Sequence, residues 1–183
     1  EYAKVKLTEM SESGKPFAFT MLTVDTHHIG GYKCDLCWNE YTENYENVIA
    51  CSSRQTAAFV DWIKEQDFYE DTAIIICGDH LSMDAEYFSR NINSEYERHV
   101  YNCIINPSAE AENVKNRVIT PMDMFPTTLA ALGCKIDGDR LGLGTNLFSG
   151  LETLAEKYGL DALNTELAKH SDYYNDNFIK NDG

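Results

Sequence analysis

An α/β fold, with a mostly parallel sheet flanked by helices, follows from three stretches of this chain. Thr72-Ala73-Ile74-Ile75-Ile76-Cys77 is a short apolar, largely β-branched run that ends in Gly78-Asp79-His80. Such a run, bounded by a turn signal, reads as a strand buried on both faces, as parallel sheets require. Phe17 to Val24 repeats the design and ends in Asp25-Thr26-His27-His28-Ile29-Gly30-Gly31. Between the two runs, from about Asn44 to Gln66, apolar residues recur at intervals of three and four (Tyr45, Val48, Ile49, Phe59, Val60, Ile63). That periodicity makes the segment the crossover helix of a βαβ unit.

The remaining elements follow in order. Residues 1–15 are polar and helix-permissive, and Pro16 stops them, because proline inside a helix costs about 3 kcal/mol. Residues 32–44 form a polar loop. Residues 81–97 are polar and irregular, with Tyr87, Phe88 and Tyr96, and are expected to wall a pocket. Val100 to Ile105 is a third strand, closed by Asn106-Pro107. If it is parallel, Arg98 and His99 lie at the opposite end from Asp79. A polar connection, 108–117, leads to a helix from Met122 to Leu132. Met122, Phe125, Leu129 and Leu132 take its core positions, Pro126 implies an early kink, and Gly133 caps it. Leu141-Gly142-Leu143-Gly144 follows no strand, so its Gly-x-Gly is not read as a phosphate loop. Residues 151–183 are terminal helices broken near Gly159. The whole of 1–183 reads as one domain. Its opening residues, Glu1-Tyr2-Ala3-Lys4-Val5, resemble the interior of a longer protein.

Composition narrows the function. The net charge of -15 argues against nucleic acid, whose phosphates need clustered Lys and Arg, and against docking on an anionic membrane by charge. No apolar run approaches the roughly 20 residues that span a bilayer. In open α/β sheets, ligands bind beyond the carboxyl ends of the strands, so Asp79, His80 and His27 or His28 are expected on one rim. A carboxylate beside an imidazole suits Zn²⁺ or Mn²⁺. The plainer alternative is that Asp79 caps a helix and His80 is a surface residue. Of the six cysteines, Cys77, Cys103 and Cys134 lie in apolar settings and read as buried thiols. Cys34, Cys37 and Cys51 admit three readings: zinc ligands short of the usual four, a redox pair, or a disulfide from Cys51 to Cys37 or Cys34.

The motif order is itself informative. Thr26-His27, then Gly78-Asp79-His80, then Asp123-Met124-Phe125-Pro126-Thr127 resemble the alkaline phosphatase/sulfatase superfamily. Leu22 to His28, Asp79-His80-Leu81-Ser82-Met83, and Leu141 to Gly144 through Ser149-Gly150 are similar to its phosphoglycerol transferase branch, the lipoteichoic acid synthase-like enzymes and the phosphoglycerol transferase I group. The likeness runs from about residue 16 to residue 155. It implies the C-terminal part of a sulfatase-like catalytic domain. It further implies transfer of glycerophosphate from phosphatidylglycerol to a glycan or polyol acceptor through a covalent threonine intermediate. Asp79 and His80 match two ligands of a divalent cation, Mn²⁺ before Mg²⁺ or Zn²⁺. His27 matches the histidine that contacts the glycerophosphate, with His28 second.

Two departures from the pattern matter. The nucleophilic threonine and an acidic ligand belong upstream, so the fragment alone is expected to be inactive. Ile29 also replaces the proline that commonly follows the histidine pair. Cys51-Ser52-Ser53-Arg54 is not the Cys-x-Pro-x-Arg nucleophile of sulfatases: the proline is missing, the arginine comes one residue early, and the segment falls on a helix. By the same resemblance the protein is the extracytoplasmic domain of a cell-membrane protein, anchored by N-terminal segments. There Cys37 and Cys51 would pair across a loop of about 15 residues, worth roughly 3 kcal/mol. Alternatives within the superfamily are a sulfatase, a phosphodiesterase or a phosphoethanolamine transferase. Outside it stand a non-catalytic headgroup- or glycan-binding module and a domain stabilised by zinc on Cys34, Cys37, Cys51 and a histidine.

Overall fold

The computed structural model describes residues 1–111 and 115–180. Residues 112–114 of the expected polar connection, and 181–183 at the end of the expected terminal helices, lie outside the described residues. The chain divides into two compact units. One joins Glu1–Thr72 to Ile76–Cys103, and the other joins Ala73–Ile75 to the chain from Ile104 onward.

In the first unit, α1 (Tyr2–Glu12) ends well before Pro16, with Gly14 at φ +65° just beyond it. The long helix α2 (Asn44–Lys64) organises this unit. Its buried face is Tyr45, Val48, Cys51, Val60 and Ile63, close to the stripe read from periodicity. Near its C-terminal end, Trp62 meets Phe68 edge-on, and Phe68 meets Phe17 in the same way (centroids 6.4 and 5.9 Å). That cluster anchors the start of the 17–24 run.

The run itself departs from expectation. It forms no strand among the described residues; the His27 N–H donates to the Val24 carbonyl at 3.2 Å, which closes a turn at its end rather than a ladder. β-branched and aromatic composition favours a pleated surface but supplies no ladder.

The strand before Gly78 does form, as β1 (Ile74–Cys77). It pairs with β2 (Asn102–Ile105) in a two-stranded sheet. The Gly78 N–H donates to the Tyr101 carbonyl at 2.8 Å, joining the end of β1 to the start of β2. The pair is therefore antiparallel. The described residues hold two antiparallel pairs of this kind rather than a mostly parallel sheet. With one neighbour each, β1 and β2 are only half-buried, so Cys77 is exposed and Cys103 half-buried; Cys134, just after Gly133, is exposed too, and none of the three is a core thiol. The segment expected to be irregular also folds: Asp84 caps α3 (Ala85–Asn91) by accepting from the Tyr87 N–H.

The second unit is built around α4 (Pro121–Ala131) and a hairpin of β3 (Arg140–Leu141) and β4 (Gly144–Thr145). The expected core face of α4 is wrong. Phe125 and Leu132 are exposed, while Asp123, Pro126, Thr127, Ala130 and Ala131 are buried. The reason is polar. The Asp123 carboxylate accepts from the Thr145 N–H at 2.8 Å and from the Thr120 N–H at 2.8 Å, so it must face the hairpin. Gly144 is a packing glycine: a Cβ there would stand 2.0 Å from the Met122 carbonyl oxygen. Beyond it lie α5 (Leu154–Tyr158), α6 (Leu160–Leu167) and the short α7 (Asp172–Tyr174). Gly159, at φ +81°, breaks the first from the second.

Candidate functional site

All the rim residues belong to the first unit. The exit from β1 leaves little space, because a Cβ on Gly78 would lie 3.3 Å from the Val100 Cβ. Asp79 then turns back on its neighbour, its Oδ1 accepting from the His80 N–H at 2.9 Å. His80 Nδ1 lies 2.8 Å from the Leu81 carbonyl. A carbonyl can only accept, so Nδ1 carries the proton and the neutral ring keeps its lone pair on Nε2. That Nε2 is 3.4 Å from Asp79 Oδ2. A histidine whose second nitrogen is tied to a backbone carbonyl is the arrangement metal ligands adopt. One carboxylate oxygen and one imidazole nitrogen thus converge on a single point, both exposed.

The histidine loop comes to the same place. His27 Nδ1 donates to the His28 carbonyl at 2.6 Å, and the two rings stack with centroids 5.1 Å apart. Tyr45, buried on α2, fixes both segments. Its hydroxyl donates to the Thr26 carbonyl at 3.0 Å and accepts from the Ser82 hydroxyl at 2.7 Å. Asp84 makes a second tie, accepting from the Gly30 N–H at 2.9 Å and the Tyr87 N–H at 3.1 Å. These two backbone donors, Gly30 first, hold its carboxyl below the usual carboxylate range. Tyr87 packs edge-on against Tyr45 at 5.1 Å, and burial, with help from Glu46, pushes its hydroxyl up to about 12. Gly31 completes the loop at φ +67°, where a Cβ would strike Val48 Cγ1 at 2.7 Å.

The result is one pocket walled by His27, His28, Asp79 and His80, with Tyr45 and Ser82 behind them. Replacing Tyr45 with Phe is expected to cost 1–2 kcal/mol, roughly, because it leaves the Thr26 carbonyl and Ser82 without their partner. Urea denaturation checks this, read as a lower midpoint at unchanged slope.

Sequence reasoning missed Arg98. It donates to the Ser82 carbonyl at 3.1 Å, and its guanidinium lies 4.2 Å over the Phe88 ring. The antiparallel pairing of β1 with β2 brings Arg98 and His99 to the end where Asp79 and His80 emerge, not the opposite end. The sequence carried no signal for this, because a connection of this length with a helix in it is what a parallel crossover would also show.

Cys37 and Cys51 are not bonded to each other. Their sulfurs and that of Cys34 lie within 4.8 Å of one another. The Leu36 backbone leads the hydrogen bonds that lower the Cys34 thiol, while burial pushes Cys37 up to about 11.

Residues 3–134, which include every residue of the pocket, match the profile described as Sulfatase. The chain belongs to the sulfatase family. This sulfatase-family chain is also 31% identical, over 153 residues, to proteins named phosphoglycerol transferase I from Escherichia coli O139:H28 (strain E24377A / ETEC), Escherichia coli O157:H7 (strain EC4115 / EHEC) and Shigella boydii serotype 18. The aligned part is 79% of this chain and 19% of each relative, so the chain spans about a fifth of their length. No solved structure matches it significantly. Among the described residues, no helix is long and apolar enough to cross a membrane.

Proposed function

We propose that this chain is the C-terminal part of a catalytic domain that transfers glycerophosphate from phosphatidylglycerol to a glycan or polyol acceptor. The observation that carries the reading is the convergence of His27, Asp79 and His80 on one pocket. Likeness to proteins named phosphoglycerol transferase I supports glycerophosphate transfer over sulfate or phosphoethanolamine chemistry. The attacking threonine stands upstream of residue 1, and the domain works outside the cytoplasmic membrane.

Asp79 and His80 would hold a divalent cation, with Mn²⁺ the first choice. Their fit rests on the Leu81 carbonyl, which fixes the His80 tautomer, and on the 3.4 Å spacing of the two donor atoms. When bound, such a cation neutralises phosphoryl charge and acidifies a hydroxyl. The protein's own side chains do the positioning. His27 is fixed through Nδ1, and its imidazolium form, which alone carries a proton on both ring nitrogens, can donate from Nε2 to a phosphate oxygen or the leaving oxygen. Tyr45 and Asp84 keep the histidine loop in register with Asp79 and His80.

Two protein donors bind a cation weakly, so calorimetry on the isolated chain should show Mn²⁺ binding in the roughly millimolar range and no phosphodiester turnover. Micromolar binding with turnover would place a complete active site within these residues and defeat the proposal. For the intact protein the readout is diacylglycerol release from phosphatidylglycerol vesicles. Equal release from phosphatidylethanolamine would move the assignment to a phosphoethanolamine transferase.

A further inference from the structure

The three-sulfur cluster takes no part in the pocket described above. Cys34 and Cys37 sit in one tight turn, closed by the Cys37 N–H donating to the Cys34 carbonyl at 3.0 Å. That turn presents both sulfurs on one side, 3.7 Å apart. The third sulfur comes from Cys51, buried in α2 at 2% exposure and 3.8 Å from Cys34.

These spacings discriminate between chemistries. A disulfide needs sulfurs at about 2.05 Å. A zinc ion about 2.3 Å from each sulfur, at the tetrahedral angle, separates them by about 3.8 Å. The two separations from Cys34 match the second figure and are far from the first. Gln55, one turn along α2 from Cys51, adds an outer contact: its Nε2 donates to Cys51 Sγ at 3.3 Å and reaches Cys34 Sγ at 3.7 Å. A neutral donor on ligand sulfurs is the kind of outer-shell support metal thiolates use. Among the described residues these three form the one group of three or more such ligand atoms within 4.8 Å, so no fourth Cys, His, Asp or Glu completes it.

We infer that Cys34, Cys37 and Cys51 form a thiolate site for a thiophilic divalent cation of the zinc class, with the fourth coordination position left to solvent. The site pins the loop between the histidine segment and α2. It is separate in ligand type from the oxygen–nitrogen pair Asp79 and His80, and does not depend on that pair's assignment.

The test uses the whole chain purified without chelator. Elemental analysis is expected to give one zinc per chain after exhaustive dialysis. The Asp79→Ala/His80→Ala double variant should keep it. Cys34→Ser, Cys37→Ser and Cys51→Ser should each cut retained zinc to below about a tenth. Because Cys51 is buried and Cys51→Ser also perturbs the helix face, the unmodified chain carries an independent readout: with Co²⁺ it should show the sulfur-to-cobalt charge-transfer band of a tetrahedral thiolate. A Co²⁺ spectrum without that band would overturn the inference. So would non-reducing peptide mapping that finds any two of the three cysteines disulfide-bonded in protein made with zinc present. Zinc that disappears with the Asp79/His80 variant would assign the ion to the pocket and overturn it as well.

Discussion

Asp79→Ala or His80→Ala, introduced into the intact protein, is expected to lower diacylglycerol release from phosphatidylglycerol by at least about 10³-fold, since each removes a ligand whose cation supplies several kcal/mol of charge stabilisation. The fold should survive. Both side chains are exposed, and among the described residues their hydrogen bonds go to the adjoining residues His80 and Leu81. Loss of activity at unchanged melting temperature is therefore the expected signature. Zinc at the cysteine cluster should be unaffected in the same preparations, which separates loss of the pocket cation from general damage. His27→Ala belongs in the series because its role differs. It should reduce kcat while leaving Mn²⁺ affinity intact, since His27 acts on phosphate in the proposed mechanism and does not ligate the cation. Full activity in His80→Ala would end the glycerophosphate-transfer reading.

The second large effect concerns stability and lies in the other unit. Arg117 and Glu156 form a two-pronged pair, Nε to Oε1 at 2.7 Å and Nη2 to Oε2 at 2.9 Å, with both side chains largely shielded from water. Glu156 also accepts from the Val118 N–H and, through the capping box that opens α5, from the Thr153 N–H at 2.8 Å. The hydrogen bond from Arg117 leads the causes that hold its carboxyl down to about 2, from an ordinary 4.5. Because the folded value lies below the unfolded one, this stabilisation is present above about pH 4.5. It disappears as pH falls toward 2, amounting to roughly 3 kcal/mol over that window. Glu156→Ala should lose a similar amount at neutral pH, roughly 2–4 kcal/mol, because it strands Arg117 and removes half of the cap. Chemical denaturation at pH 7 and at pH 3 checks both statements. The gap between wild type and Glu156→Ala should narrow at the lower pH, and a constant gap would show that the pair does not set the acid sensitivity.

How much of this was legible beforehand depends on which interactions are local. Helix α2 was readable because its inward face repeats along one segment. The terminal break at Gly159 was readable because glycine marks it. The juxtaposition of His27 with Asp79 and His80 was readable from two apolar runs ending in polar residues, even though only one of those runs forms a strand. The sheet was not legible: strand direction depends on a partner distant in sequence, and Val100–Ile105 reads the same in either direction. The inward face of α4 was missed for a related reason. Apolar spacing pointed to Phe125 and Leu132, but the hydrogen-bonding demand of buried Asp123 outweighs it, and its partner Thr145 lies 22 residues away. Arg98 was lost along with strand direction. The three sulfurs were legible as a cluster, but their spacing required coordinates.

The shared carboxylate of Asp84 limits how this rim can evolve or be transplanted. Gly30 on one loop and the first turn of α3 on the other draw on the same two oxygens. An insertion in either loop shifts the geometry seen by its neighbour, so new substrate preferences should arise by exchanging side chains that face the opening rather than by lengthening either strap. Anyone grafting the histidine motif into another scaffold must carry residues 25–31 and 79–87 together, with the tyrosine that bridges them.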